Sequence, residues 1–384
     1  MRLLYSDFDA FYPLSLAGSQ RVGNLLLRLL AAEHGVECLA LTPRQGRGIP
    51  SPDYHPRLTQ LHALGVRHLT VEEDRWTFDC GYPIVAVDHV ADHLERCLDD
   101  FRPDVFYCHN PERGPELLRP ALERGIGCVW FFQDVRATAE DVVRAAAQGV
   151  EVVSCSRYMA RYYREKARDL PSGSEGIGAV PDVELGVVYP PIEARDYVVE
   201  ADLENGFITM INTVQEKGIE TVLALLSLLP EERFLLVESW PLGAERLATL
   251  ERRLEPFPNA RFLRRQADVR EVYRQTRTLI VPTVWSEAAG RVVLEAQFSG
   301  IPVLVSALGG LPEMVGAGGR AIEDYHNPQA WAEAIRALRD PAEHRRLSEL
   351  ARANTVRDDC DPRAVARHFL EICRRAAGAT VDCR

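Results

Sequence analysis

One segment in the C-terminal half of the chain, residues 281–312, constrains the fold more than any other. An apolar run ends at Pro282, and a polar turn that carries Glu287 follows it. Gly290 then opens a run of helical character, which ends just before a second apolar run at 301–305. A strand, a helix and a strand in such short succession predict a parallel α/β unit, in which the turn after the first strand lies where ligands bind.

The residues of this turn indicate a site for a phosphate group. The first amides of a helix are unpaired and carry partial positive charge, and an anion can approach them closely at Ala288, Ala289 and Gly290, which have almost no side chain. Glu287 lies beside this anion site, and Glu295, about two turns later, falls within roughly 80° of the same helix face. Carboxylates accept hydrogen bonds from sugar hydroxyls, so the pattern predicts a nucleotide sugar. The alternative is a buried strand–helix–strand unit with two surface acids.

The same residues carry a family resemblance. The pattern comprises Pro282, Glu287, Gly290, Glu295-Ala296, Gly300-x-Pro302-Val303 and the later Gly309-Gly310-Leu311-Pro312-Glu313. It resembles the donor-binding motif of the retaining family 4 glycosyltransferases, clearly over 205–340 and faintly over 1–190. The resemblance implies an α/β protein of the GT-B fold, with two Rossmann-like domains facing each other across a cleft. Residues 1–190, completed by a helix at 362–377, are then the acceptor domain, and residues 191–355 are the donor domain.

One lysine stands out in the donor half. Only two of the 45 basic residues are lysines, Lys166 and Lys217. Lys217 follows the apolar run 207–211 at a predicted strand-to-helix turn, where a compact ammonium is a good partner for a diphosphate. The resemblance implies that this lysine contacts the donor phosphates. A solvated lysine at the start of a helix is the alternative.

The donor half also departs from the family pattern. Asn212 stands where the family usually has an arginine that binds phosphate, so some phosphate affinity must come from elsewhere, and Arg291 is a candidate replacement. Arg264, after the predicted strand 260–263, marks the place where the nucleotide base is expected. The predicted base is uracil or guanine.

In the N-terminal half, three residues are candidates for the same active site. Gly18 begins the segment GSQRVG, which resembles the family's first glycine-rich loop, although a plain strand-to-helix turn explains it equally well. His109 directly follows an apolar run, at the end of a strand that lines the ligand crevice in open α/β sheets. Gln133 stands where many relatives have a histidine. The resemblance therefore implies that Gln133 can hydrogen-bond to a sugar hydroxyl, but it implies no role that needs an imidazole ring.

The resemblance also implies a mechanism. Transfer with retention occurs on one face of the sugar, and the departing phosphate accepts the proton of the acceptor. Glu287 orients the donor sugar, Glu295 holds the ribose and Lys217 stabilises the leaving diphosphate, with His109 and Gln133 as further catalytic candidates. The D-x-D string Asp7-Phe8-Asp9 lies in the acceptor half, and positive charge is available without an ion, so we expect neither a metal nor a cofactor.

Composition limits the remaining possibilities. A chain of 384 residues is expected to form two domains, and no run of about eighteen apolar residues is present. The N-terminus carries acids where a signal peptide would be apolar, and the nine cysteines form no C-x-x-C pair, so a cytoplasmic protein is expected. The segment from Pro171 to Asp182, rich in Gly, Pro and Ser, is predicted to be a mobile loop.

Charge narrows the choice of acceptor. Residues 1–185 hold 20 basic and 27 acidic side chains, and the whole chain has a net charge of −11. Such a surface is repelled by anionic lipid and by nucleic acid, which favours a soluble small-molecule acceptor, as in specialised-metabolite biosynthesis. Three alternatives remain: a glycosyltransferase acting on an envelope lipid or polysaccharide, a sugar-nucleotide 2-epimerase, and a nucleotide-sugar binding protein without activity.

Apolar runs alternate with helical runs along the chain, which predicts parallel strands. In the first half, strands are predicted near 2–6, 36–42, 68–71, 104–108, 127–132 and 150–154. In the second half, they are predicted near 207–211, 233–237, 260–263, 278–281, 301–305 and 320–322.

Overall fold

The computed structural model describes residues 1–44, 58–171, 184–266 and 268–378. It divides into two compact units, Met1–Pro191 together with the C-terminal segment from Pro362, and Ile192–Asp361. The loop predicted between Pro171 and Asp182 lies, apart from Pro171 itself, outside the described residues. Within the described ranges, no helix has the length and apolar character needed to cross a membrane.

The first unit is built on a nine-stranded sheet with the order β3-β4-β5-β2-β1-β6-β7-β8-β9. Its strands are β1 (Arg2–Ser6), β2 (Glu37–Pro43), β3 (Arg67–Val71), β4 (Arg75–Asp79), β5 (Pro83–Val87), β6 (Val105–Cys108), β7 (Gly127–Phe132), β8 (Glu151–Ser154) and β9 (Gly186–Val187). Its helices are α1 (Gly18–His34), α2 (Val90–Phe101), α3 (Gly114–Glu123), α4 (Ala139–Ala147), α5 (Arg157–Arg168) and a C-terminal helix, Pro362–Ala376; a 3-10 helix spans Leu58–Leu64.

All six strands predicted in this half are present, but β4, β5 and the two-residue strand β9 were not predicted. The pairs β3–β4 and β4–β5 are antiparallel, whereas the other pairs of the sheet are parallel. The central strand β6 is buried throughout and is therefore a continuous apolar run in the sequence. Only one residue of β4 is buried, so its sequence, RWTFD, mixes polar and apolar residues and lacks that signal.

The second unit contains a six-stranded, wholly parallel sheet with the order β12-β11-β10-β13-β14-β15. Its strands are β10 (Phe207–Ile211), β11 (Phe234–Val237), β12 (Ala260–Leu263), β13 (Thr276–Val281), β14 (Val303–Ser306) and β15 (Gly319–Ile322). Its helices are α6 (Ile219–Leu228), α7 (Gly243–Leu254), α8 (Arg270–Arg274), α9 (Arg291–Gln297), α10 (Leu311–Val315), α11 (Pro328–Ala337) and α12 (Pro341–Asn354). The six strands predicted for this half are confirmed, with ends that differ by no more than two residues.

The parallel strands place the predicted site residues at carboxyl ends of each sheet. His109 directly follows β6 and Gln133 directly follows β7 in the first unit. In the second unit, a lysine turn (residues 212–218) follows β10 and a glutamate turn (residues 282–290) follows β13. Because β10 and β13 are neighbours in the sheet, these two turns emerge side by side.

Candidate active site

The lysine turn and the glutamate turn are tied together through their backbones. The carbonyl oxygen of Glu216 accepts hydrogen bonds from the amides of Val284 (3.1 Å) and Trp285 (3.2 Å). It also accepts one from the hydroxyl of Thr283, at 2.9 Å. Three hydrogen bonds to one carbonyl fix the spacing of the two turns before any side chain of the predicted site is considered.

Glycines allow the backbones of neighbouring turns to approach each other closely here. Gly218 has a left-handed φ of 86°, and a Cβ on it would overlap the carbonyl oxygen of Pro282. The turn after β14 lies against the glutamate turn in the same way, since Gly310 donates its amide to the Glu287 carbonyl at 2.8 Å. A Cβ on Gly309 would overlap the backbone of Glu287. Three turns are thus packed backbone to backbone around Glu287.

This packing brings the two principal predicted residues together. The Lys217 ammonium donates a hydrogen bond to the Glu287 carboxylate and forms an ion pair with it. Their side chains are only 16% and 19% exposed. The ammonium also lies 5.0 Å from the ring centroid of Trp240, which is itself 42% exposed. The predicted phosphate ligand and the predicted sugar ligand therefore share one small, sheltered space.

Asn212 and Thr213, at the start of the lysine turn, present unsatisfied polar atoms. Asn212 has a left-handed φ of 78°, and its amide is held by the Val237 carbonyl at 2.8 Å. Its side-chain oxygen and the Thr213 hydroxyl are buried and have no hydrogen-bond partner among the described residues. Leaving such a group unpaired costs about 1–3 kcal/mol, so a ligand that hydrogen-bonds to it recovers that free energy.

The remaining residues of the predicted phosphate seat are less open than the sequence suggests. Ala288 and Ala289 are buried, and Gly290, with a φ of 81°, precedes α9, which starts at Arg291 and has only seven residues. The run of helical character predicted between Gly290 and the apolar run at 301–305 is therefore shorter at both ends as a helix. Its dipole acts over fewer residues than in a long helix, so more of the positive charge must come from side chains.

Arg291, predicted as a replacement phosphate ligand, has other partners in the structure. Its guanidinium forms an ion pair with Glu295 at 3.4 Å and donates to the Tyr197 hydroxyl at 3.3 Å. Tyr273 donates to the other oxygen of the Glu295 carboxylate at 3.2 Å. Burial alone would lower the pKa of Arg291, but Tyr197 and Glu295 outweigh it, so this pKa is raised. Arg291 thus neutralises Glu295, and its role towards phosphate stays a prediction.

Arg264 depends on a carboxylate that the sequence reading missed. Its Nε donates to Glu238 at 2.6 Å, while its guanidinium remains largely exposed. The buried Glu238 also accepts from the amides of Leu242 (3.0 Å) and Arg265 (3.3 Å). Burial raises the pKa of Glu238, but these hydrogen bonds outweigh it, so the pKa is lowered and the carboxylate stays charged. Its signal in the sequence is an acid directly after the apolar run of β11.

In the first unit, Asp7 is the centre of a buried hydrogen-bond network. Its carboxylate, only 1% exposed, accepts from the amide of Asp9 (3.0 Å), the side chain of Asn110 (3.1 Å) and the amide of His109 (3.3 Å). Burial raises the pKa of Asp7 to about 6. Within the part of the chain that the structure describes, no cluster of three or more His, Cys, Asp or Glu side chains could hold a metal ion.

His109 lies buried beside this network instead of on an open surface. Its Nε2 shares a hydrogen bond with the Tyr107 hydroxyl, and its Nδ1 is buried without a partner among the described residues. A Cβ on Gly23 would meet its ring at 2.6 Å, so the glycine of α1 makes room for the imidazole. Burial lowers the pKa of His109 to about 3, which leaves the ring neutral.

The other two N-terminal candidates differ in exposure. Gly18 is the first residue of α1 and is exposed. The Gln133 side chain, after β7, is half-buried, and its amide nitrogen has no hydrogen-bond partner within the described ranges. A donor atom left unpaired at the end of a strand fits the predicted hydrogen bond from Gln133 to a hydroxyl group.

The depressed pKa of His109 predicts acid sensitivity. An unfolded histidine is protonated below pH of about 6.5 but His109 in the folded chain only near pH 3, so acidification favours unfolding by about 3 kcal/mol between pH 7 and pH 4. His109→Gln removes this contribution. We therefore expect the melting temperature of this variant to fall less than that of the wild type over the same pH range.

Asp7 has the opposite effect on stability: acidification favours the folded state, because the raised pKa of Asp7 makes the folded state bind a proton between about pH 6 and pH 4. This contribution is present in both proteins and cancels in the comparison. Equal acid sensitivity of the wild type and His109→Gln would contradict the prediction.

Comparison with known proteins identifies the fold and the family of the second unit. Residues 195–354 match the family model of the glycosyl transferases group 1. The chain is similar in structure to a glycosyltransferase from Rickettsia africae, with a TM-score of 0.74, 13% identity and 98% coverage of each chain. The chain has the GT-B fold, and its second unit belongs to the glycosyl transferases group 1. The fold expected from residues 281–312 is thereby confirmed.

Further relatives show how far the similarity extends. Anabaena HepE, solved with UDP and glucose, has a TM-score of 0.70 and 14% identity, covering 97% of this chain and 98% of that one. The D-inositol 3-phosphate glycosyltransferase of Xylanimonas cellulosilytica is 31% identical over 241 residues, 56% of this chain and 57% of that protein. The spore coat protein SA of Bacillus subtilis is 34% identical over 88 residues, 22% and 23% of the two chains. The matches to these two curated relatives span about half or less of their length.

Proposed function

We propose that this protein is a retaining glycosyltransferase that moves a sugar from a UDP- or GDP-sugar to a soluble small-molecule acceptor without a metal ion. The observation that carries the proposal is the pairing of Lys217 with Glu287 inside turns fixed by their backbones. An ammonium is suited to a diphosphate and a carboxylate to sugar hydroxyls, and here the two lie in direct contact. The structures of Anabaena HepE with UDP-glucose support the choice of donor class.

In this reaction the bond between the anomeric carbon and the diphosphate oxygen breaks as negative charge builds on the leaving group. Lys217 stabilises that charge, which lowers the barrier directly. Glu287 orients the sugar hydroxyls while the ring passes through an oxocarbenium-like state. The acceptor oxygen bonds to the same face of the carbon, and its proton passes to the departing diphosphate oxygen. The Thr213 hydroxyl can donate a neutral hydrogen bond to a phosphate oxygen in place of the family's arginine, and the unpaired oxygen of Asn212 can accept one from a sugar hydroxyl.

The second unit also offers residues for the rest of the donor. Glu295, held by Arg291 and Tyr273, is proposed to accept from the ribose hydroxyls. Arg264, anchored on Glu238, is proposed to lie beside the base. The negative balance of residues 1–185, with 20 basic and 27 acidic side chains, supports an acceptor that is neutral, zwitterionic or cationic.

A thermal-shift panel of UDP, GDP, dTDP and their sugars tests the donor class. A ligand at 100 times its dissociation constant stabilises the folded state by about 2.7 kcal/mol, which corresponds to a rise of about 5 to 10 °C for a unit of this size. We expect one nucleoside diphosphate to produce such a rise. No shift with any of them would overturn the proposal.

Incubation with the stabilising nucleotide sugar then separates the remaining classes. A glycosyltransferase releases nucleoside diphosphate slowly by hydrolysis, and faster with an acceptor. A 2-epimerase changes the sugar without an acceptor, and a binding protein leaves the donor intact.

A further inference from the structure

We infer that the Lys217–Glu287 ion pair masks the site against free diphosphates and makes it selective for an intact sugar diphosphate. The inference rests on the proposed function and concerns the same two side chains. It follows from three features. The backbones of the two turns are fixed, the two paired charges are sheltered from water, and a free diphosphate and a sugar diphosphate differ in the partners they offer when the ion pair opens.

The first feature is the rigidity of the frame. Glu216, next to Lys217, accepts three hydrogen bonds from residues 283–285 of the opposite turn. The backbone of Glu287 is held in turn by the amide of Gly310 at 2.8 Å. Separation of the two backbones would break these hydrogen bonds, whereas the side chains of Lys217 and Glu287 can exchange partners without breaking them.

The second feature is shelter from water. Each of the two side chains is less than one-fifth exposed, and the ring of Trp240 lies 5.0 Å from the ammonium. A partly buried ion pair that loses one partner leaves the other charge poorly solvated, which is unfavourable. A ligand that takes Lys217 must therefore also supply hydrogen-bond donors to Glu287.

The third feature is the chemistry of the two candidate ligands. A free diphosphate can bind Lys217, but it has no donor for Glu287 and places a second negative charge beside it. A sugar diphosphate brings hydroxyl donors together with the phosphate, so both side chains gain partners at once. The ion pair therefore weakens the binding of a free diphosphate, which resembles the product, but does not weaken the binding of the sugar diphosphate donor.

The test measures binding to wild type and Glu287→Gln by calorimetry. The probes are pyrophosphate, which is independent of the base, and the pairs UDP with UDP-glucose and GDP with GDP-mannose. Because the Glu287→Gln substitution leaves Lys217 without its ionic partner, we expect pyrophosphate and the free nucleotide to bind about 10-fold more tightly to the variant. Any preference of the wild type for the nucleotide sugar over the nucleotide should shrink.

Two controls show whether Lys217 carries the effect. Glu216→Gln removes an exposed carboxylate from the same turn without touching the pair, and we expect less than about a twofold change. In a Lys217→Ala background, Glu287→Gln should tighten pyrophosphate binding much less, because only the repulsion between the phosphate and Glu287 is then removed. Equal tightening with and without Lys217 would mean simple charge repulsion and would overturn the inference.

The outcomes separate the two proposals. If neither protein binds any nucleoside diphosphate or pyrophosphate, the proposed function itself fails. If the wild type binds a nucleoside diphosphate and Glu287→Gln binds it and pyrophosphate no more tightly, the function stands and the masking role of the pair is wrong.

Discussion

Lys217→Ala is expected to reduce kcat/KM for glycosyl transfer by about 10²- to 10³-fold, which corresponds to about 3 to 4 kcal/mol of transition-state stabilisation. In the proposed reaction the ammonium stabilises the negative charge that develops on the leaving diphosphate, and Asn212, at the other end of the turn, has no charge to substitute for it. The loss should appear mainly in kcat, because the charge on the leaving group is largest in the transition state.

The chain offers a matched control for this variant. Lys166, the only other lysine, is exposed on α5, where its ammonium lies 5.9 Å from the ring centroid of Tyr162. Lys166→Ala makes the same chemical change outside the proposed site and should leave the rate within about twofold of wild type. Steady-state kinetics with the donor found by thermal shift makes the comparison. Similar rates for the two variants would show that Lys217 is not the phosphate ligand.

Gly218→Ala is expected to cause the largest loss of stability. The residue has a φ of 86°, and its Cβ would overlap the carbonyl oxygen of Pro282, so the two turns must move apart. Left-handed strain and overpacking together cost about 3 to 5 kcal/mol, which lowers the melting temperature of the second unit by about 6 to 20 °C.

The variant Gly243→Ala separates the effect of left-handed backbone strain from the effect of overpacking. Gly243 also has a left-handed φ, 70°, but a Cβ there meets nothing within 4 Å. Only backbone strain of about 1 to 2 kcal/mol remains, which lowers the melting temperature by about 2 to 8 °C. Differential scanning calorimetry of both variants measures the difference. If the two variants melt at the same temperature, contact between the turns contributes nothing to the stability of the second unit.

The strands of the second unit could be predicted well because apolar residues mark them in the sequence. Strands β10, β11, β13 and β14 are largely buried in a parallel sheet, and each contains a short run of mostly apolar residues. The glutamate turn was also predictable, since Glu287 and Gly290 stand at fixed distances from the end of such a run. The half-buried hairpin strand β4 has no comparable signal and was missed.

Contacts between distant parts of the chain were not predictable in the same way. Lys217 and Glu287 are 70 residues apart, and their contact depends on β10 pairing with β13. The network of Asp7 likewise joins residues about a hundred positions apart, through the pairing of β1 with β6. The residues of both contacts can be read in the sequence, but the strand order that makes them neighbours cannot.

The order of strands in the second sheet has a consequence for how this site can change. From β10 the chain proceeds outward to β11 and β12, and it then returns to β13 and continues to β14 and β15 on the other side. The direction of winding therefore reverses between β10 and β13, and in open α/β sheets ligands bind at the carboxyl ends of the strands at such a switch point. This switch point exists whatever residues occupy the two turns. New ligand preferences can thus arise by exchange of a few loop residues, while the strands below keep their sequence.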